Sequence, residues 1–322
     1  MYTFLVTAPS FAAPGVAKLQ DAGCRILYAS DEKDLAAILA SQNIDAVISR
    51  TMTMNRDMIR SCASLRVISK HGAGYNNIDV AAATERNIPV FFTPGANAQS
   101  VAELVIGLAI AVARTIPLHD RTLREGGWSR SEMGMQLSGR TMGIVGLGNI
   151  GQKVAHLAAA FGMRVVGYDP RIKTAPCETV DRLADLLPQA QLLSINCPLN
   201  NETRGMIGAA ELAQLPRNSI VLNTARGGIV DETALAQAVA SGHVFGAGLD
   251  DFVTEPVAAD HPFNKLSRIV MTPHVGASTR EALDTVSVMS VDNALTFLGG
   301  KPFDLRLCVN PSVLKKQPMV SI

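Results

Sequence analysis

The stretch MGIVGLGNIGQKVAHLAAAFGMRVVGYDP at 142–170 restricts this chain more than any other. It sets Gly146, Gly148 and Gly151 directly after an apolar β-branched run and at the head of an amphipathic helical pattern. A second apolar run, RVVGY, follows and ends at an acid, Asp169, 18 residues beyond the last glycine. Three glycines so spaced also occur in plain tight turns. The strand before, the helix after and the acid closing the next strand make this arrangement a dinucleotide cradle. Gly146 permits the turn, Gly148 lets the backbone approach a pyrophosphate, and Gly151 lets the helix settle against the sheet. The diphosphate then meets the unpaired amides of a helix N-terminus. Asp169 would accept hydrogen bonds from the adenine ribose and repel a 2′-phosphate, so NAD is expected rather than NADP. Arg171, two residues on, could pair with such a phosphate and is read as a solvated loop cation.

The same rhythm runs through the whole chain. TFLVTA, RILYA, DAVIS, RVIS and PVFF alternate with helical patterns before the motif; TMGIVG, RVVGYD, QLLSIN, SIVLNT, FGAGLD and RIVMTP do so from Thr141 onward. That alternation predicts an α/β chain with two doubly wound parallel-sheet domains, and 322 residues suffice for two cores. Between the two series lie a loop, TPGANAQS at 93–100, an apolar block, VAELVIGLAIAVA at 101–113, and a segment without periodicity at 121–140, together read as a domain crossing. The apolar block carries Glu103 and is too short to span a membrane. A buried helix is expected there, available to a subunit interface. A last helical pattern covers about 280–298.

Charge and cysteines narrow the function. With 29 Lys and Arg against 28 Asp and Glu, the formal charge of +1 draws the chain to neither nucleic acid nor anionic membrane. A discrete small-molecule site remains. Cys24, Cys62, Cys177, Cys197 and Cys308 are scattered and never spaced as CxxC, which predicts neither a disulfide framework nor a metal site and suits a reducing cytoplasm. The opening MYTFLVTAPSFAAP lacks the basic flank and long apolar core of a signal peptide.

In an open parallel sheet, ligands collect beyond the carboxyl ends of the strands. Three ionisable residues follow strands there: Arg226 in NTARGGIVDE, Glu255 in GLDDFVTEP and His274 in TPHVGAST. A guanidinium can hold a substrate carboxylate and polarise an adjacent ketone. An imidazole can give a proton to the developing alkoxide or take one in reverse. A carboxylate beside the imidazole would favour its charged form. Each also has a plainer role, as surface ion pair, turn acid or structural histidine, and spacing alone does not bring the three together. The partner of Arg226 is expected to be the substrate's own carboxylate rather than a protein acid. Gly227 and Gly228 are expected to leave room for substrate and nicotinamide.

GIVGLGNIG, NTARGGIVDE, GLDDFVTEP and TPHVGAST, in that order, resemble the signatures of the D-isomer-specific 2-hydroxyacid dehydrogenases, over nearly the whole chain. The resemblance places that family's catalytic arginine, glutamate and histidine on Arg226, Glu255 and His274. It implies a Rossmann cofactor domain, 98–282, inserted into a flavodoxin-like substrate domain made of 1–97 and 283–322. It also implies NAD contacts at Gly146, Gly148, Asn149, Ile150, Gly151, Asp169, Cys197, Pro198, Thr203, Thr224, Ala225, Asp250, His274 and Gly276. Asp250 matches the acid near the nicotinamide. In SKHGAGYNNID, Ala73 and Gly74 match a loop whose amides bind the substrate carboxylate, which a glycine-rich turn can do; Asn97 and Glu103 match a segment that lines the cleft. A homodimer is implied as well.

Among family members the chain looks most like short 3-phosphoglycerate dehydrogenases. Arg50, Lys70 and Arg130 match positions often basic there and would form a phosphate pocket; alternatively they are three separate solvated cations. Asp251 stands where an apolar residue usually follows the strand-ending acid, a departure given little weight. The chain ends 19 residues past Phe303, so a C-terminal regulatory domain and serine feedback through it are not expected. The reaction expected is hydride transfer between NAD and a small D-2-hydroxy acid, with 3-phosphoglycerate the favoured substrate. The alternatives are a hydroxypyruvate or glyoxylate reductase, an enzyme for a sulfonated hydroxy acid, and a non-enzymatic NAD-sensing corepressor-like protein.

Overall fold

A computed structural model describes residues 1–172 and 174–314. The chain divides into two compact units, one made of Met1–Asn97 with Thr279–Ile322 and the other of Ala98–Ser278. The tail 315–322, which the sequence assigns to the substrate domain, lies outside the described residues. The return into the first unit falls at Thr279 rather than 283. Thr279 is the N-cap of helix Arg280–Leu298, its hydroxyl accepting from the Ala282 amide at 3.2 Å.

The first unit carries a five-stranded parallel sheet: β1 (Thr3–Val6), β2 (Arg25–Tyr28), β3 (Ala46–Ser49), β4 (Val67–Lys70) and β5 (Val90–Phe91), in the order β2-β1-β3-β4-β5. That is the flavodoxin-like order. Side chains alternate across the pleat, so each strand feeds two cores. Phe4, Val6, Ala46 and Ile48 pack with Val291, Ala294, Phe297 and Leu298 of the C-terminal helix. Leu5, Val47 and Ile68 pack on the opposite face with Leu35, Leu39, Ile59 and Ala82. A parallel sheet must be covered on both faces, which is why the N-terminal strands need a helix from the far end of the chain. Asp31, Asn55 and Asp79 start the intervening helices by accepting from the third amide beyond, each cap contributing about 1 kcal/mol.

The second unit is a seven-stranded parallel sheet. Its strands are β6 (Thr141–Val145), β7 (Arg164–Tyr168), β8 (Glu178–Val180), β9 (Leu192–Ile195), β10 (Ser219–Asn223), β11 (Val244–Leu249) and β12 (Ile269–Met271), ordered β12-β11-β10-β9-β6-β7-β8. The order reverses between β6 and β9, which opens a crevice at their carboxyl ends. The sequence reading lacks β8, a three-residue edge strand of mostly exposed residues with no apolar run to announce it.

The loop expected to reach residue 100 ends earlier, since helix Ala98–Ala113 begins within it. The aperiodic segment also starts with a helix, Ile116–Arg124. The apolar run of the first of these helices is explained inside its own unit. Val105, Leu108, Ala109 and Val112 lie in the core formed with Ile144, Ile220, Leu222 and Phe245. Gly246 and Gly248 of β11 admit it: a Cβ there would stand 2.8 Å from Val112 and 2.7 Å from Leu108. No single helix among the described residues is long and apolar enough to cross a membrane.

Candidate active site

The glycine turn sits at the crevice between β6 and β9. Gly146 has φ 92°, and a Cβ on it would lie 2.7 Å from the Asn196 carbonyl, beside Cys197 and Pro198 at the end of β9. A Cβ on Gly151 would meet the Gly146 oxygen at 2.0 Å, whereas one on Gly148 would meet nothing within 4 Å. Gly148 is the N-cap of helix Asn149–Ala160, whose first amide to bond backward is that of Gln152, to the Gly148 oxygen. The amides of Asn149, Ile150 and Gly151 donate to no group among the described residues, as the first turn of a helix that cradles an anion would.

Asp169 closes the cradle at the end of β7. One carboxylate oxygen accepts from the Leu147 amide at 2.9 Å; the other accepts from Arg171 and Ile172 at 2.8 and 3.0 Å. Burial acts to raise its carboxyl, but these three amides and the Arg171 charge outweigh it and hold it below its usual range. It stays ionised, and the oxygen facing Leu147, which accepts one amide, retains lone-pair capacity for a hydroxyl donor. Burial pushes the Cys197 thiol up to about 11, so it lines the crevice as a neutral, apolar group. Thr203 donates to the Pro198 oxygen at 2.6 Å and folds that loop back. Beyond β10, the Thr224 hydroxyl is buried with no partner among the described residues, a group left waiting for a ligand. These features fit a dinucleotide.

The three loops after β10, β11 and β12 bring Arg226, Glu255 and His274 together. Buried Asn223 shapes the first: its carboxamide accepts from the Ala225 amide at 3.1 Å and donates to the Arg226 oxygen at 2.9 Å. Gly227 is required by crowding, because a Cβ would lie 2.0 Å from the Phe252 carbonyl carbon, while Gly228 takes φ 81°. Gly227 thus makes room for the protein's own 252–253 backbone, not for substrate and nicotinamide. Asp250, fully buried, pins the third loop on both sides of its histidine. It accepts from the Thr272 hydroxyl at 2.6 Å and from the Val275 and Gly276 amides at 2.8 Å each. His274 is held at φ 53° between those anchors. That left-handed conformation is uncommon outside glycine and tends to mark functional positions.

His274 Nδ1 lies 3.1 Å from Glu255 Oε2, whose other oxygen accepts from the Phe252 amide. Its Nε2 lies 3.3 Å from Asp251 Oδ2, and the same oxygen accepts from Arg226 Nη1 at 3.2 Å. Asp251 Oδ1 accepts from the Gly227 amide at 2.8 Å. Arg226 therefore does have a protein acid as partner, against the expectation, and the departure at Asp251 lies at the centre of the cluster. Burial raises the Asp251 carboxyl, with Glu255 adding to the effect; the Gly227 amide, His274 and Arg226 oppose it without cancelling it. Doubling of the acid at the end of β11 was the available signal. Asp251, Glu255 and His274 also present ligand atoms within 4.8 Å of one another. Each imidazole nitrogen is nevertheless engaged by its own carboxylate and a guanidinium abuts Asp251, so the arrangement suits protons and anions better than a cation.

Residues expected to bind substrate from the first unit lie at or beyond the ends of β3, β4 and β5. The Arg50 guanidinium donates to the Ser10 oxygen at 2.9 Å. Lys70 is 8% exposed, and its ammonium donates to the Arg50 oxygen and, at 2.8 Å, to Asn77 Oδ1. The amides of Ala73 and Gly74 donate to no group among the described residues. Asn97 Oδ1 is buried with no partner among the described residues. Arg130 belongs to the other unit, where it stacks 5.8 Å from the Trp128 ring centre. The three cations expected in one phosphate pocket thus form no single cluster within either unit.

Fold and site together define a class: a two-unit parallel α/β protein with a dinucleotide turn and an Arg–Glu–His edge beside it. Residues 106–276 match the model of the NAD binding domain of the D-isomer specific 2-hydroxyacid dehydrogenases, and the chain belongs to that family. It is 37% identical over 315 residues, 94% of its length, to a D-3-phosphoglycerate dehydrogenase of Methanocaldococcus jannaschii, and it spans 58% of that protein. It is 41% identical over 262 residues to a hydroxypyruvate reductase of Thermotoga maritima, covering 80% of this chain and 85% of that one. Among solved structures, the NAD⁺-bound 3-phosphoglycerate dehydrogenase of Entamoeba histolytica matches with a TM-score of 0.81 at 28% identity, over 96% of this chain and 98% of that one.

Proposed function

We propose that the protein is an NAD-dependent oxidoreductase that moves a hydride between NAD and a small D-2-hydroxy acid or 2-oxo acid, with 3-phosphoglycerate and 3-phosphohydroxypyruvate the favoured pair. The observation that carries this reading is the convergence of Arg226, Glu255 and His274 on one edge of the NAD binding unit. When bound at the glycine turn, NADH would supply the hydride to C2 of the oxo acid. Arg226 would hold the substrate carboxylate and polarise the ketone. His274 would deliver a proton from Nε2 to the C2 oxygen, or remove it in the oxidative direction. Glu255 would orient the ring through Nδ1 and stabilise the imidazolium.

A second reading, reduction of hydroxypyruvate or glyoxylate, is supported by Lys70: one of the three cations a phosphate pocket would use is committed to Arg50 and Asn77. A panel of 3-phosphohydroxypyruvate, hydroxypyruvate and glyoxylate, followed by the absorbance of NADH and NADPH, separates these readings. The favoured reading expects saturation by the phosphorylated substrate with NADH; saturation only by the smaller acids would replace it. No turnover with any 2-oxo acid would leave the NAD-sensing, corepressor-like role.

Five free cysteines support a cytoplasmic location. A homodimer is supported by the run from Ile116 to Met133, where Ile116, Leu123, Trp128 and Met133 are all exposed. Helix Ala98–Ala113 no longer argues for it.

A further inference from the structure

Asp251 has no part in the reaction just described, yet one of its oxygens touches both groups that would act on substrate. Its carboxylate is 7% exposed. Oδ2 lies 3.2 Å from the guanidinium assigned to the substrate carboxylate and 3.3 Å from the imidazole nitrogen assigned to the C2 oxygen. Those are the positions an anionic ligand would compete for. Oδ1 is tied to the Gly227 amide, which aims Oδ2 at the pair.

We propose that Asp251 is a specificity-determining residue: a resident carboxylate that fills the Arg226–His274 pair in the absence of substrate and opposes the entry of another anion. The proposal rests on the reading of Arg226 and His274 as substrate groups. A guanidinium and an imidazolium would bind a 2-oxo carboxylate more tightly without a fixed negative charge between them. Like charges repel in proportion to their product, so Asp251 opposes a multiply charged acid more than a singly charged one. The residue therefore sets the balance between phosphorylated and unphosphorylated substrates and lets a spent anion leave.

D251N tests this directly, because the carboxamide keeps an acceptor for the Gly227 amide while losing the charge. D251A removes both. KM and kcat for hydroxypyruvate and 3-phosphohydroxypyruvate are measured for all three proteins, with oxalate binding to the NADH-loaded protein followed by calorimetry. D251N is expected to lower KM for hydroxypyruvate and the oxalate dissociation constant roughly three- to tenfold, with kcat moving less. The gain for 3-phosphohydroxypyruvate is expected to be larger. An unchanged or raised KM with a fall confined to kcat would overturn the proposal and make Asp251 a positioning residue for His274. An effect confined to D251A would overturn it in favour of a structural tie to Gly227. If no 2-oxo acid is turned over by the wild type, the functional reading fails, and the oxalate arm still decides: tighter binding to D251N supports the resident carboxylate, and equal or absent binding in both refutes it. Should D251N fold poorly, D251S offers a smaller neutral acceptor for the same measurements.

Discussion

His71 and His274 each follow the carboxyl end of a parallel strand, one in each unit, and their surroundings are opposite. His71, just after β4, is largely buried beside Arg50 and Lys70, with the edge of Phe11 5.6 Å away between ring centres. Burial, and then the Arg50 and Lys70 charges, push its imidazole down to about 4. His274 is half exposed and flanked by carboxylates on both nitrogens. The first ring is kept neutral and serves packing; the second has a carboxylate oxygen within 3.3 Å of each nitrogen. A histidine after a strand is therefore not informative by type. Its neighbours from other strands decide what it does.

The sharpest way to break this contrast is to remove each ring. H274A is expected to lower kcat/KM roughly a thousandfold, within the range for loss of a general acid. R226A should fall comparably, with part of the loss in KM. Steady-state kinetics with a 2-oxo acid and NADH checks both; if H71Q lost as much kcat as H274A, the contrast would fail.

Disturbing the scaffold that sets the charges should come next. G227A forces a Cβ against the Phe252–Val253 backbone and should cost about 2–3 kcal/mol of stability, as overpacking does. Thermal unfolding and activity should decline together, since the Arg226 loop would shift. A stable, fully active G227A would mean that the 223–228 turn does not hold the site in register.

The third expectation is a pH effect confined to the first unit. The folded pKa of His71, about 4, lies below its ordinary value of 6.5. The stability gained by burying the neutral ring is therefore fully present above about pH 6.5 and is lost as pH falls towards 4, because the unfolded chain takes up the proton. The loss amounts to at most about 3 kcal/mol. Denaturant unfolding of wild type and H71Q between pH 7 and 4 checks it; parallel curves would show that His71 is not the source.

The smallest effect is expected at the cofactor turn. D169A should weaken NADH binding roughly tenfold while leaving NADPH less affected, as loss of a partially buried hydrogen-bonding charge would. An equal loss for both cofactors would mean that Asp169 only braces the Leu147 and Arg171–Ile172 turns.

Local chemistry was legible in the sequence. The glycine turn, Asp169 and the alternation of apolar runs with helical patterns all depend on residues near one another in the chain, so spacing and residue type determined them. β8 escaped because an exposed three-residue edge strand has no apolar pattern. Arg226, Glu255 and His274 could be nominated because each follows a strand, but only the order β12-β11-β10 placed their loops side by side. Neither the partner of Arg226 nor the role of Gly227 could be read from the chain. Asp251 and Phe252 are more than twenty residues away in sequence and arrive through β11. The apolar run at 101–113 determined a buried helix, while the tertiary structure decided what buries it. Hydrogen bonds and steric contacts act over a few ångströms, so wherever the contacting groups came from different strands, the fold rather than the sequence pattern chose the partner.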